Sequence, residues 1–202
     1  WSKSNISIHQ SEKDMLELSC KRAELKDNMK ILELGCGWGS LTCYMATLYP
    51  NSSITAVSNS KDQKKHIELR CKKMNLNNIK VITCDMNDFN IDETFDRVVS
   101  IEMFEHMRNY KVLLNKISNF LNDDGKLFVH IFSHHTMVYP YVDNGPGDWM
   151  AREFFSGGLM PSHKLLLHFQ DDLKIESLWK INGQHYEKTS YAWLKRMDDN
   201  KN

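Results

Sequence analysis

The sequence predicts an α/β fold, a doubly wound and mostly parallel sheet, on three observations. Short apolar runs alternate with helix-patterned segments along most of the 202 residues. The first clear run, Ile31-Leu32-Glu33-Leu34, ends in Gly35-Cys36-Gly37-Trp38-Gly39-Ser40, three glycines at alternate positions opening a helical pattern. The polar residues able to do chemistry fall at the ends of the apolar runs. Alternating strands and helices imply right-handed crossovers and a parallel sheet, whose ligands bind beyond the carboxyl ends of the strands.

Each element can be justified in order. Met15, Leu16, Leu18 and Ala23 to Leu25 suggest an amphipathic entering helix from about Ser11. Met29 to Leu34 reads as the first strand and Trp38 to Leu48 as its helix, followed by a strand over Ile54 to Val57. From Lys61 to Met74, Ile67, Cys71 and Met74 share one helical face. Ile79 to Thr83 and Phe95 to Ile101 read as the third and fourth strands. The stripe Tyr110, Leu113, Leu114, Ile117, Phe120 and Leu121 predicts a helix ended by Asp124-Gly125. Lys126 to Phe132 reads as a fifth strand and Leu173 to Trp179 as a sixth. Residues 136–170 break the alternation with three prolines, several glycines and dense aromatics, and read as a lid with a short helix near Trp149 to Phe155.

Composition narrows the class. The chain is 41% hydrophobic and 26% charged, as expected for one domain over residues 1–202. Lys plus Arg equals Asp plus Glu at 26 each, so no global field steers it to nucleic acid or an anionic membrane. The basic run through Lys61, Lys64, Lys65, Arg70, Lys72 and Lys73 reads as a solvated helix face. No apolar run approaches the roughly 20 residues that span a bilayer. Five scattered cysteines without a C-x-x-C pair indicate reduced thiols in a cytoplasmic protein, with no metal centre. Monomer and homodimer both remain open. Trp1 stands first instead of Met, so an upstream segment is expected.

The glycine turn suits a nucleotide-like cofactor, because glycine permits close backbone approach and the following helix offers N–H groups. Its G-x-G-x-G spacing differs from the G-x-G-x-x-G of NAD sites. Val57-Ser58-Asn59-Ser60 lacks the usual ribose-binding acid, although Asn59 can bond a diol; a helix cap is the alternative. In Cys84-Asp85-Met86, the carboxylate can accept from an adenine amino group and the next N–H can donate, or Asp85 is simply a turn residue. If their segment is helical, Glu102, Glu105 and His106 project from one face, where they could hold and deprotonate an amine. A cap with ion pairs, including one to Arg108, is the alternative. His130, Phe132 and His134 alternate along the fifth strand. Tyr139, Tyr141, Trp149, Phe154, Phe155 and Met160 form either the core of the lid or a cage for an aromatic amine.

Glu33 to Gly39 resembles the first motif of class I S-adenosylmethionine-dependent methyltransferases, with their Rossmann-like sheet. Ser100-Ile101-Glu102-Met103-Phe104-Glu105-His106-Met107-Arg108-Asn109-Tyr110 resembles coclaurine N-methyltransferases and the related cyclopropane fatty acid synthases. Phe154 to Ser162, His168 to Asp172 and Trp193 to Asp198 resemble the N-methyltransferase branch. The resemblance implies S-adenosyl-L-methionine as cofactor and a small, aromatic or cyclic amine as acceptor. It implies cofactor contacts at Glu33, Gly35, Gly37, Asn59, Gln63, Asp85, Met86 and Ile101, and catalytic roles for Glu102, Glu105 and His106. The synthases resembled hold bicarbonate with residues at the places of Glu105 and His130; a packed strand histidine is the other reading of His130. Those enzymes are longer at both ends, with a last strand and helix after the position of Asn202. A cyclopropane-synthase-like lipid enzyme and an inactive cofactor-binding module are the alternatives to amine methylation.

Overall fold

The computed structural model describes residues 1–3 and 5–201. They form two compact units, Arg22–Ile175 and the pair of segments Trp1–Lys21 and Glu176–Asn202. In the larger unit, β1 (Lys30–Leu34) leads through α2 (Ser40–Leu48) to β2 (Ser53–Ser58), following α1 (Ile8–Arg22) in the chain. Next come α3 (Lys61–Met74), β3 (Ile79–Thr83), β4 (Phe95–Ile101), α4 (Tyr110–Asn119) and β5 (Leu121–His130). The five strands are parallel, in the order β3-β2-β1-β4-β5. The chain therefore winds outward in one direction to β3 and then returns past β1 to β4. That reversal between β1 and β4 is where such sheets open a crevice for a ligand.

Local chemistry explains the elements. β1 and β2 are buried after their first residue, consistent with central parallel strands covered on both faces. Helix α3 starts at Ser60, whose Oγ accepts from the Gln63 N–H at 3.3 Å, and ends at Asn75 in the left-handed region at φ 54°. Asp62 in its first turn and Lys72 and Lys73 in its last complement the helix dipole. Helix α4 buries Tyr110, Leu113, Leu114 and Ile117 against a core containing Leu32, Leu34, Val98 and Phe104.

Two expectations need correction. The α4 stripe ends at Asn119, before Asp124-Gly125, because β5 already begins at Leu121, paired with Phe95. A register shift between Phe95 and Arg97 then absorbs the extra residues. No strand forms over Leu173 to Trp179. There Gln170 holds the chain in a turn, its Oε1 accepting from the Ile175 N–H at 3.0 Å.

The predicted lid contains β6 (Tyr139–Pro140), α5 (Trp149–Glu153) and β7 (Leu159–Met160), with β6 and β7 antiparallel. In the smaller unit, α6 (Gln184–Asp199) anchors the first residue: the Trp1 indole N–H donates to Thr189 Oγ1 at 3.0 Å. Among the described residues no helix is long and apolar enough to cross a membrane.

Candidate active site

The three glycines after β1 all have positive φ, which few other residues adopt, yet their surroundings differ. A Cβ on Gly35 would lie 2.7 Å from Cβ of Met103, in the turn after β4. One on Gly39 would lie 2.6 Å from Ile67 of α3. At Gly37 nothing lies within 4 Å, so this is where the backbone faces open space that a ligand can approach. The turn is tied to β2, since the Gly35 and Cys36 N–H groups both donate to the Val57 carbonyl at 3.0 Å.

Glu33 is buried, with 4% of its surface exposed, and its Oε2 accepts from Thr42 Oγ1 of α2 at 2.5 Å. Burial pushes its pKa up to about 8, against the opposing effect of the Thr42 bond. It lies under the glycine turn as a hydrogen-bonded acid. After β2, Ser60 takes the cap of α3 and leaves exposed Asn59 without that task. Gln63 Oε1 accepts from Ser58 Oγ at 2.5 Å, which fixes the Gln63 amide beside the strand end.

After β3, exposed Asp85 shapes a turn: its Oδ1 accepts from the Asn87 N–H at 2.8 Å and from Asn87 Nδ2 at 2.9 Å. The turn reading is thus realised, and one carboxylate oxygen is committed to it. Met86 packs against the core, and Lys116 of α4 donates to the Met86 and Asn87 carbonyls at 3.4 and 2.6 Å. Lys116, which pattern reading missed, gives no signal in sequence because its partners lie 29 and 30 residues away.

The turn after β4 carries the strongest chemistry. Ile101 pairs with His130, and the Glu102 N–H donates to the His130 carbonyl at 2.9 Å. Only Phe104–His106 coil, as a tight 3₁₀ turn, and Glu102 precedes it at φ 53°. The expected single helical face is therefore absent. A left-handed glutamate is strained by roughly 1–2 kcal/mol, a cost tolerated at functional turns.

The turn brings the Glu102 and Glu105 carboxyls close enough for each to shift the other's pKa. Burial raises the pKa of Glu105, and the Glu102 charge raises it further. Burial also raises Glu102, opposed by the bonds from Glu105 and the Phe132 N–H. Such a pair holds one proton between two oxygens, since two adjacent buried charges are too costly. Glu105 is 1% exposed, and its Oε2 has no hydrogen-bond partner among the described residues. A buried carboxyl oxygen left unpaired costs about 1–3 kcal/mol, so the site is incomplete by that oxygen.

His106 turns toward the lid, its ring 5.3 Å from Phe155 and 6.4 Å from Phe154, and burial lowers its pKa. His130 is also lowered by burial, with Arg22 adding to the effect. Pairing of β5 ends at His130, so the expected alternation of His130, Phe132 and His134 along that strand stops at its first residue. His134 Nδ1 instead accepts from the Thr136 and Met137 N–H groups, at 3.1 and 2.8 Å. Among the described residues no group of three or more His, Cys, Asp or Glu is placed to hold a metal.

The lid aromatics divide in two. Phe155, 5% exposed, is the hub: it stacks on Tyr141 at 4.7 Å and meets Phe132 and Phe154 edge-on. Phe155 and Tyr141 thus build the lid's own core, with Met160 adjoining through the Tyr141 hydroxyl at 3.9 Å. Tyr139, Trp149 and Phe154 remain exposed, the last two at 56% and 61%. Tyr139, Tyr141, Val142 and Met150 help line a cavity of about 340 Å³. Arg108 pairs with no acid among the described residues; it donates to the Gly158 and Tyr141 carbonyls at 3.0 and 2.9 Å.

Comparisons with known proteins bear on the fold and the family. (S)-Coclaurine N-methyltransferase of Thalictrum flavum subsp. glaucum is 42% identical over 97% of this chain and 55% of that protein. Pavine N-methyltransferase of the same plant is 38% identical over 97% of the chain and 56% of its own length. The chain spans about half the length of the curated relatives it matches. A crystal structure of coclaurine N-methyltransferase bound to N-methylheliamine and SAH superposes with a TM-score of 0.93 at 39% identity, covering 99% of this chain and 60% of that one. The five-stranded parallel sheet is thus that of the class I methyltransferases. The model of the mycolic acid cyclopropane synthetase family matches residues 1–202, and the chain belongs to that family.

Proposed function

We propose that the protein transfers a methyl group from S-adenosyl-L-methionine to the nitrogen of a small aromatic or cyclic amine. The observation that carries this reading is the buried Glu102–Glu105 pair, with its unpartnered oxygen, at the end of β4 beside the glycine turn. An ammonium donates hydrogen bonds and brings positive charge, the two things the pair lacks. The names of the coclaurine and pavine relatives, and the N-methylheliamine and SAH in the matching crystal structure, support the same chemistry.

The residues present fit the cofactor. Gly37 leaves space where a Cβ would stand, Asn59 and the Gln63 amide offer ribose partners, and the Asp85–Met86 turn offers an adenine edge. Gly35 and Ile101 hold the backbone around that space, and Glu33 supports it from beneath. Bound there, the cofactor would supply an electrophilic methyl carbon. The carboxyl pair attracts the ammonium and takes its proton, since a carboxylate with a raised pKa is a better base toward an amine. The freed nitrogen lone pair forms the bond to the methyl carbon as the carbon–sulfur bond breaks. His106, kept neutral by burial, is a second proton acceptor on the same turn. The lid excludes water and aligns the reactants, and alignment accounts for roughly 7–11 kcal/mol of barrier reduction in favourable cases.

Among the described residues the five cysteines form no disulfide, and four of them are buried, which supports a reducing compartment and hence the cytoplasm. The deciding experiment incubates the protein with methyl-labelled cofactor, cyclic amines and vesicles of unsaturated phospholipid. Label is expected in the amines. Label only in the lipid fraction overturns the amine reading in favour of cyclopropane-type chemistry, and label in neither favours a cofactor-binding module.

A further inference from the structure

We propose that Arg108 is a positioning residue that latches the lid onto the catalytic turn and so governs capture of the acceptor. The proposal rests on the amine methyltransferase reading for its substrate, but its structural basis is independent of it. Arg108 stands two residues after His106, at the end of the turn that carries Glu105. Its guanidinium spans two lid segments: Nε donates to the Gly158 carbonyl at 3.0 Å and an Nη to the Tyr141 carbonyl at 2.9 Å. The same Gly158 carbonyl also accepts from the Tyr141 N–H at 3.0 Å, so both its lone pairs are engaged. One side chain thereby joins β6's exit, β7's entry and the catalytic turn.

The contact is close as well as polar. A Cβ at Gly158 would fall 2.2 Å from the Glu105 carbonyl oxygen, so only glycine lets the lid backbone settle there. Tyr141 and Phe155, which flank this contact, form the stack against which His106 lies. Releasing the latch therefore loosens the wall beside His106 and the cover above Glu105, while the turns after β1, β2 and β3 keep their own bonds. A planar fork carrying a full charge suits two carbonyls at once; a lysine ammonium can satisfy them less well.

If the lid is closed for only a fraction of the time, apparent affinity for the captured acceptor falls by that fraction. Arg108→Met should raise the KM for the amine about tenfold or more, leave cofactor affinity unchanged by calorimetry, and speed proteolytic cleavage within residues 136–160. Arg108→Lys should fall between wild type and Arg108→Met on both readouts. Gly158→Ala breaks the same contact from the other side and should reproduce the faster cleavage with Arg108 intact. Unchanged lid cleavage and amine KM in Arg108→Met overturn the latch. So does a parallel loss of cofactor affinity and thermal stability, which would mark general structural damage. Should the wild-type protein methylate no amine, cleavage alone decides: faster in Arg108→Met upholds the latch, equal rates refute it.

Discussion

β1 and β4 are neighbouring parallel strands, with Leu34 in register with Ser100; β1 carries a buried glutamate of raised pKa, Glu33, just before its last residue, and the turn after β4 carries another, Glu105. Their difference is in what meets the acid. Glu33 has its Oε2 bonded by Thr42, and around it three left-handed glycines permit close packing or open space. Glu105 has an oxygen with no partner and a second carboxyl, Glu102, held against it by a left-handed non-glycine backbone. Burial alone therefore does not mark a reactive acid, since both are nearly inaccessible. What separates them is satisfaction: the Glu33 carboxyl has its partner in Thr42, and Glu105 Oε2 has none among the described residues.

The largest expected effect breaks the comparison at its reactive side. Glu105→Gln preserves size but removes the proposed proton acceptor, and methyl transfer to a protonated amine should fall on the order of 10²-fold or more. Cofactor affinity should hold, and part of the loss should return at higher pH, where more amine is already neutral. Steady-state rates from pH 6 to 9 with a fixed amine check this. Full activity in both Glu105→Gln and His106→Ala at neutral pH would make the turn structural and send the proton to water.

How legible this contrast was in sequence depends on how far apart the partners lie. The strand–helix alternation, the glycine turn and the whole of α3 could be read locally, since Ser60, Ile67, Cys71 and Lys72 carry their signals within a few positions. Glu102, Glu105 and His106 were visible as a cluster, but their geometry was not. A helical spacing was the natural expectation for them, whereas Glu102 takes a left-handed φ and its N–H donates to the His130 carbonyl at the end of the adjacent strand. Arg108, an ion-pair partner only in the alternative reading of that turn, finds its acceptors 33 and 50 residues away. The Gly157-Gly158 pair was the available hint that a backbone comes close there. The missing strand over Leu173 to Trp179 shows the opposite failure, an apolar run taken for a sheet element that a side-chain-capped turn displaces.

A middle-sized effect sharpens the comparison within the glycine turn. Gly35→Ala forces a Cβ against Met103 at a left-handed backbone, so unfolding stability should drop by about 2–4 kcal/mol. Gly37→Ala carries the backbone cost alone, about 1–2 kcal/mol, because among the described residues an added Cβ meets no atom within 4 Å beyond its chain neighbours. Cofactor titration should rank them differently from thermal melts: the Gly37 variant should lose affinity more than its stability accounts for. Equal losses in both measurements for both variants would mean that Gly37 packs against protein and does not face the cofactor.

The smallest effect tests the quiet side of the comparison. Glu33 has a folded pKa of about 8 against an ordinary 4.5, so between those values the folded state binds more protons than the unfolded one. Stability must then fall as pH rises through that window, and it is fully present below it. Glu33→Gln removes the titration while its amide oxygen can still accept from Thr42. Its melting temperature should match the wild type near pH 5 and exceed it by roughly 2–6 °C at pH 8. Methyl transfer per folded molecule should change little, in contrast to Glu105→Gln. Melting curves of the two proteins from pH 5 to 8.5 measure the difference. Parallel curves across that range would show that Glu33 stays ionised in the fold, and the two buried acids would then differ in charge as well as in partnership.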